Sequence, residues 1–224
     1  MPPSSPTGYT GTGIKKVGGE WVEIVCLDLE GVLVPEIWIS VAECAGVPAL
    51  AATTRNIPDY DALMRQRLGI LDQQGLRLTD IQAVIAGLAP LDGATDFVEN
   101  LRQRFQLIVL SDTFYEFAMP LMRQLGWPVL FCNRLKVDEN GRISGYRLRL
   151  PDHKRQTVTT LQDLRFTVFA AGDSYNDTGM LTAADSGFLF RPPDNVIAAF
   201  PQFPVVTDYG ALLRYFLDAR KVKL

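Results

Sequence analysis

Short apolar runs alternate with amphipathic stretches of helical period along most of the chain, from Trp21 to the C-terminus. This alternation is typical of an α/β protein in which helices connect the strands of a parallel sheet. The predicted strands are residues 21–27, 105–110, 129–132, 166–170, 187–190 and 205–206. Residues 136–146 are predicted to form a hairpin that turns at Asn140-Gly141, because Asn-Gly favours a two-residue turn.

The pattern changes between the first and second predicted strands. Three segments of helical spacing and no clear strand fill this interval, which is too long for a simple crossover. They are residues 37–43, 60–71 and 79–88. We therefore predict a helical cap at 35–90, inserted into a core formed by 21–34 and 91–224.

Helices are also predicted at residues 93–104, with Asp92 as the cap, at 115–125, and near 156–164. Residues 1–20 are rich in Pro, Ser, Thr and Gly, so a flexible tail is predicted there.

Composition narrows the chemistry. The net charge of −3, without a long basic run, argues against a nucleic-acid partner, and no apolar run is long enough for a membrane span. The three cysteines form no paired motif, which predicts buried thiols in a cytoplasmic protein. His153 is the single histidine, so any catalysis must depend mainly on carboxylates, hydroxyls, Lys or Arg.

Acidic and polar residues cluster where predicted strands end. In VCLDLEGVLV, Asp28 and Glu30 close the first strand and would share one face. Similar positions are held by Ser111-Asp112-Thr113, Lys154 and the stretch GDSYND at 172–177. In open α/β sheets the carboxyl ends of the strands bind ligands. Taken singly, each segment is more often a helix cap, a turn or a solvated surface charge.

Together these segments fit phosphoryl chemistry. Asp28, Asp173 and Asp177 would form a carboxylate cluster that requires a hard divalent cation such as Mg²⁺. Lys154 and the Ser111 hydroxyl would bind a phosphoryl group. Gly31 would let backbone amides approach the phosphate, and a carboxylate is the natural nucleophile.

In order and spacing, these segments resemble the four motifs of the haloacid-dehalogenase (HAD) superfamily of aspartyl-phosphate enzymes and, within it, the phosphoserine phosphatase family. The resemblance runs from about Trp21 to the C-terminus. The stretches VPEIW and LSDTFYEF carry a closer similarity to the bacterial branch that also transfers phosphate to homoserine. It implies an α/β fold of the HAD type, with a three-layer Rossmannoid core, a parallel sheet and a small C1-type helical cap.

The resemblance also implies roles for single residues. Asp28 is the nucleophile and a Mg²⁺ ligand, and Glu30, where the family usually has Asp, is the general acid/base and gives its backbone carbonyl to the metal. Asp173 is a direct metal ligand, whereas Asp177 acts on the metal indirectly or through water. The implied phosphate-binding residues are Gly31, Ser111, Lys154 and Asn176.

Substrate selection is implied to lie mainly in the cap. Glu36 resembles the residue that binds the substrate's ammonium group, and Arg67 resembles the arginine that grips its carboxylate, with Arg65 as the fallback. Tyr60 stands at a similar aromatic position. Asp112 replaces the usual glycine, which predicts a different substrate-contacting loop.

The resemblance implies a Mg²⁺-dependent phosphatase that hydrolyses the phosphoamino acid O-phospho-L-serine, with transfer to homoserine as a second activity. Two alternatives stay open: a phosphatase for another small phosphomonoester, and a receiver-like signalling module phosphorylated on an aspartate. The sequence also leaves the oligomeric state open, with a homodimer among the options.

Overall fold

The computed structural model describes residues 21–53, 56–57 and 59–222. The predicted tail at 1–20 lies outside the described residues. The described chain forms strands and helices in the order β1 (Glu23–Leu27), α1 (Ile37–Ala45), α2 (Tyr60–Gln73), α3 (Leu78–Ala86), α4 (Ala94–Arg102), β2 (Gln106–Phe114), α5 (Tyr115–Gln124), β3 (Val129–Val137), β4 (Ile143–Arg147), α6 (His153–Asp163), β5 (Thr167–Gly172), α7 (Thr178–Ala183), β6 (Ser186–Phe190), α8 (Asp194–Ala199), β7 (Val205–Val206) and α9 (Tyr209–Val222). Short 3-10 turns cover Pro48–Ala51 and Tyr175–Asp177.

The strands of the described chain form one sheet in the order β4-β3-β2-β1-β5-β6-β7. Every neighbouring pair is parallel except β3 and β4, which are antiparallel. Strand β1 lies in the middle, flanked by β2 and β5. The carboxyl ends of these three strands therefore converge at one edge of the sheet, and the α/β fold expected from the sequence is confirmed.

Successive side chains of β1 pack alternately in two hydrophobic cores. Val25 and Leu27 pack in a core with buried residues of α4, α5 and α9, whereas Ile24 and Cys26 pack in a second core with α6, α7 and α8. Because successive side chains of a strand point to opposite faces, one apolar strand supports helices on both sides. The result is the three-layer arrangement predicted for the core.

The interval between β1 and α4 contains α1, α2 and α3, so the helical character predicted for this part of the chain is confirmed. Whether these helices form a cap domain with the boundaries 35–90 stays a prediction. No helix of the described chain combines the length and apolarity needed to span a bilayer.

Several local predictions were wrong. Gly93, with φ of 82°, occupies the N-cap of α4 without a side-chain hydrogen bond, so Asp92 is not the cap. Cys44, on α1, is exposed, although Cys26 and Cys132 are buried as predicted. Strand β2 extends beyond the predicted end at residue 110 to Phe114, because pairing with β3 resumes at that residue after a register shift.

Candidate active site

Lys154 lies at the centre of a buried ionic network. Its Nζ donates to Asp28 Oδ1 at 2.9 Å and to Asp177 Oδ1 at 2.7 Å. All three side chains are buried. Lys154 occupies the first turn of α6, which begins at His153 and not near residue 156 as predicted. The helix therefore fixes the lysine more firmly than a loop would.

Asp28 is held directly at the end of β1. Its backbone N–H donates to Ala171 O on β5 at 3.0 Å, and its Oδ1 also accepts from Leu29 N at 2.8 Å. Burial raises the pKa of Asp28 well above its usual range, and the Asp177 carboxylate reinforces this effect against the opposing charge of Lys154. The position is rigid, and its negative charge is costly without further neutralisation.

Gly31 makes room for the third carboxylate. Its φ of 76° is in the left-handed region, and a Cβ at this position would overlap the Asp173 carboxylate. Its N–H donates to Val34 O at 2.9 Å. The structure thus requires glycine here for backbone conformation and space, and a direct phosphate contact at Gly31 stays a prediction.

Asp177 organises the loop that follows β5. Its Oδ2 accepts from the N–H groups of Asp173 and Ser174, both at 3.0 Å. Because its other oxygen accepts from Lys154, both oxygens already have protein donors. Asp177 therefore holds the loop and Lys154 together, and its indirect role in metal binding stays a prediction.

The acidic cluster fits a hard divalent cation. Carboxylate oxygens of Asp28, Asp173 and Asp177 all lie within 4.8 Å of one another. Burial, followed by repulsion from Asp177 and Glu36, raises the pKa of Asp173 to about 7. A cation that binds only through oxygen atoms would offset this repulsion, so the donor set suits Mg²⁺ or a similar ion. The Glu30 carboxylate is not part of this group of three, and a metal contact through its backbone carbonyl stays a prediction.

Glu30 connects the first motif to the inserted helices. Its Oε1 accepts from the N–H of Ile37, the first residue of α1, at 2.8 Å. Burial, followed by repulsion from Glu36, raises the pKa of Glu30 to about 7. A carboxyl group with this pKa can give and take a proton near neutral pH.

Asp112 and Asn176 come together beside Lys154, and Ser111 precedes Asp112 on β2. Ser111 is buried, and its Oγ accepts from Thr113 N at 3.2 Å. Asp112 Oδ2 accepts from Asn176 Nδ2 at 2.7 Å and lies 3.5 Å from Lys154 Nζ. Two of the predicted phosphate-binding residues, Lys154 and Asn176, are therefore linked through Asp112, and their binding of phosphate stays a prediction.

Three predicted substrate-binding residues, Tyr60 and Arg67 on α2 and Glu36 just before α1, interact electrostatically with Glu30. Arg67 is buried on α2, and electrostatic interactions link it to Tyr60, Glu30 and Glu36. Its guanidinium lies 4.4 Å from the centre of the Trp38 ring, and one Nη donates to Ala52 O at 2.7 Å.

Arg67 retains unused donor capacity, since its Nε is buried without a partner among the described residues. Arg65, the fallback, is exposed on the other side of α2. Of these two arginines, Arg67 is the buried one, and its charge interacts with Glu30 and Glu36.

Sequence comparison agrees with this geometry. Residues 22–185 match the family model described as haloacid dehalogenase-like hydrolase. The chain belongs to the haloacid dehalogenase-like hydrolase family. The resemblance inferred from the motifs is thereby confirmed.

Two relatives within the family are close in sequence. The chain is 62% identical over 198 residues to the phosphoserine phosphatase ThrH of Pseudomonas aeruginosa, which covers 88% of this chain and 97% of the relative. It is 59% identical over 211 residues to a phosphoserine phosphatase of Pseudomonas syringae pv. tomato, which covers 94% and 89%.

A solved structure supports the fold independently. A phosphoserine phosphatase with a phospho-aspartyl intermediate analogue aligns with a TM-score of 0.70 over 88% of this chain and 99% of that one, at 18% identity. At this identity the likeness establishes the haloacid dehalogenase-like fold alone.

Sequence reasoning assigned no role to several residues that shape the site. Trp38 supports the Arg67 guanidinium, and Tyr209 Oη donates to Val32 O at 2.6 Å, which anchors the loop after β1. Buried Asn133 donates to Asp112 O at 2.9 Å, and buried His153 contacts Asp112 Oδ1 through Nε2 at 3.1 Å. Two of these residues have a sequence feature that could have pointed to the site: Trp38 lies within VPEIW, and His153 directly precedes Lys154.

Proposed function

We propose that this protein is a Mg²⁺-dependent phosphatase that hydrolyses O-phospho-L-serine through an aspartyl phosphate on Asp28, and that it also transfers the phosphoryl group to homoserine. The observation that carries the proposal is the buried network in which Lys154 joins Asp28 and Asp177. The names of the two relatives, at 62% and 59% identity, support phosphoserine as the substrate.

In the first half-reaction, an Asp28 carboxylate oxygen attacks the phosphorus atom, and the bond from phosphorus to the serine oxygen breaks. Glu30 gives its proton to the departing oxygen, a role that suits a carboxyl group with a pKa of about 7. Lys154 offsets the charge that develops on the phosphoryl oxygens. The products are serine and an acyl phosphate on Asp28.

In the second half-reaction, water attacks the acyl phosphate and Glu30 takes the water proton. The bond from phosphorus to the Asp28 oxygen breaks, which releases phosphate and restores the carboxylate. An alcohol such as homoserine can replace water, because only the attacking hydroxyl differs. One intermediate therefore accounts for both proposed activities.

The metal site would be formed by Asp28 and Asp173, with Asp177 positioning the loop and the Glu30 carbonyl as a further donor. Mg²⁺ bound there would neutralise the carboxylates and withdraw charge from the phosphoryl group. Phosphoserine binding is assigned to Arg67, which would grip the substrate carboxylate, and to Glu36, which would pair with its ammonium group. Tyr60 borders the same space.

The domain assignment follows from these roles. Residues 21–34 and 91–224 would form the catalytic core, and residues 35–90 the cap that selects the substrate. We further expect the protein to act in the cytoplasm, because its cysteines are free thiols. Light scattering would show whether it forms a homodimer.

The decisive experiment is a phosphate-release panel. Phosphoserine, phosphothreonine, a sugar phosphate and p-nitrophenyl phosphate are supplied with Mg²⁺ and, in parallel, with EDTA. The proposal predicts preference for phosphoserine and loss of turnover in EDTA. Preference for the sugar phosphate would favour the alternative phosphatase, and absence of turnover on every ester would favour a receiver-like module.

The transferase activity needs its own assay. The phosphorylated enzyme is trapped with labelled phosphoserine and then mixed with homoserine. The proposal predicts labelled phosphohomoserine in addition to labelled phosphate. If phosphate is the only labelled product at any homoserine concentration, the transfer reaction is ruled out.

A further inference from the structure

Asp112 contacts two residues, Asn176 and Lys154, that the family resemblance assigns to phosphate binding. Its Oδ2 accepts from Asn176 Nδ2 at 2.7 Å and lies 3.5 Å from Lys154 Nζ. It directly follows Ser111, the third proposed phosphate-binding side chain. A carboxylate of the protein therefore stands where the oxygens of a phosphoryl group would bind.

Asp112 is fixed in this position from two sides. Asn133 donates to its backbone carbonyl at 2.9 Å, and His153 Nε2 lies 3.1 Å from its Oδ1. The His153 side chain is only 4% exposed, and its Nδ1 has no partner within the described chain. Asp112 is therefore the side chain that the buried imidazole orients.

The group so held is an anion. Burial alone would raise the pKa of Asp112, but Lys154 and hydrogen bonds from His153 and Asn176 lower it below its usual value. An ionised carboxylate accepts only, so Nε2 of the His153 ring must donate to it. A phosphate dianion that binds Lys154 and Asn176 would meet this charge at close range.

The surrounding space is large enough for such a ligand. A cavity of about 340 Å³ lies at this point, and Asp112, Asp152, Lys154 and Asn176 are among the residues that line it. Asp152 contributes a second acid to the cavity, but its carboxylate pairs with the exposed Arg155 and has no hydrogen bond to Lys154 or Asn176 among the described residues. The two acids therefore differ in their access to the phosphate donors.

We propose that Asp112, held in place by His153, is a specificity-determining residue that competes with inorganic phosphate for Lys154 and Asn176 and so weakens retention of this product. The proposal rests on the proposed function, which places the phosphoryl group beside Lys154. His153 is a positioning residue, since it acts on phosphate through Asp112. Without Asp112, phosphate would no longer share Asn176 with a protein carboxylate, and Lys154, which also donates to Asp28 and Asp177, would have one acid fewer beside it.

The test is direct binding of inorganic phosphate to the Mg²⁺-loaded protein by calorimetry. Asp112→Asn keeps the side-chain shape and removes the charge, so the dissociation constant should fall about tenfold, the effect of roughly 1.4 kcal/mol of relieved repulsion. Asp152→Asn is the matched control, because it removes the same charge from the same cavity, and should change the constant less than twofold. An unchanged or weaker affinity in Asp112→Asn would overturn the proposal.

A second pair of variants tests His153. His153→Phe fills the space without a donor and should lower the dissociation constant in the same direction as Asp112→Asn, but by less. His153→Gln can still donate and should restore the wild-type constant. If the two His153 variants bind phosphate equally, the positioning role is wrong.

These measurements separate the inference from the proposed function. Phosphate binding is measured without any ester, so the Asp112 effect is tested even if phosphoserine is not the substrate. Asp112→Gly serves as a second variant should Asp112→Asn fail to fold, and it should tighten phosphate binding as well. Conversely, wild-type turnover of phosphoserine with unaltered phosphate affinity in both Asp112 variants would overturn the inference alone.

Discussion

The sheet edge and the inserted helices hold their polar groups in different ways. At the sheet edge, Lys154, Asp28 and Asp177 satisfy one another in a buried network. On the inserted helix α2, Arg67 is also buried, but it leaves its Nε without a partner among the described residues and uses one Nη on a backbone carbonyl. Chemistry is therefore preorganised on rigid strand ends, while the groups assigned to substrate selection keep donors available for a ligand.

Removing the nucleophile should have the largest effect. Asp28→Asn keeps the shape of the side chain but takes away the attacking oxygen, so turnover of phosphoserine and of p-nitrophenyl phosphate should fall by about 10³-fold or more. Steady-state kinetics measure it. The control is Asp152→Asn, a similar change at a half-exposed residue paired with Arg155, which should retain turnover. Substantial activity in Asp28→Asn would show that another group attacks phosphorus.

A substitution of Arg67 tests whether the inserted helices select the substrate. Arg67→Ala should lower kcat/KM for phosphoserine by about 10²-fold, as expected for a lost bidentate contact to a carboxylate, and should change p-nitrophenyl phosphate turnover much less. Arg65→Ala is the matched control, since Arg65 lies on the same helix but is exposed. Equal losses on both esters would mean that Arg67 supports the fold and does not select the substrate.

The sequence predicts the sheet edge better than it predicts the inserted helices. The parallel sheet and the approach of Asp28 to Asp173 follow from local patterns, because the carboxyl ends of neighbouring parallel strands converge. Which arginine of α2 faces the site depended on packing against Trp38, which spacing alone did not decide.

The other contacts that the sequence did not predict join residues far apart in the chain. Asn133 and His153 are far from Asp112 in sequence, yet they contact its backbone and side chain respectively. No short-range pattern encodes such a meeting, since it depends on how β3 and α6 pack beside β2. The start of α6 at His153 was missed because the turn before it places Asp152 at φ of 47° without a side-chain cap.

Glu30 joins the two regions, and the length of its side chain can be tested. In a Glu30→Asp variant the carboxyl group would sit one methylene closer to the backbone and would lose the 2.8 Å contact with Ile37 N. We expect the ratio of transfer to hydrolysis to fall several-fold, because the proton acceptor moves away from an attacking alcohol. Product ratios at fixed homoserine concentration measure this effect. An unchanged ratio would remove Glu30 from the explanation of transfer.

The raised pKa of Glu30, about 7, also predicts a pH-dependent stability. The folded state binds this proton more tightly than the unfolded chain, so stability is greatest below the unfolded pKa and falls as pH rises toward 7. In the metal-free protein, the melting temperature should therefore decrease between about pH 5 and pH 7.5. Glu30→Gln keeps the acceptor for Ile37 N, and its melting temperature should decrease less over this range. Parallel curves for the two proteins would contradict the assignment.

The smallest effect is expected at an exposed contact between the inserted helices and the β3–β4 hairpin. Arg142 forms two hydrogen bonds with Asp72 of α2, at 2.6 and 2.9 Å, but both side chains are about half exposed. Water and salt screen such pairs, so Asp72→Asn should leave the denaturant midpoint unchanged within error. Lys154→Met is the corresponding change in a buried ion pair. It leaves the Asp28 and Asp177 carboxylates without their cationic partner, so it should clearly lower the denaturant midpoint of the metal-free protein. A large decrease of the denaturant midpoint in Asp72→Asn would mean that the inserted helices depend on this surface pair for their attachment. The inserted helices and the sheet edge would then be coupled more strongly than the exposure of the pair suggests.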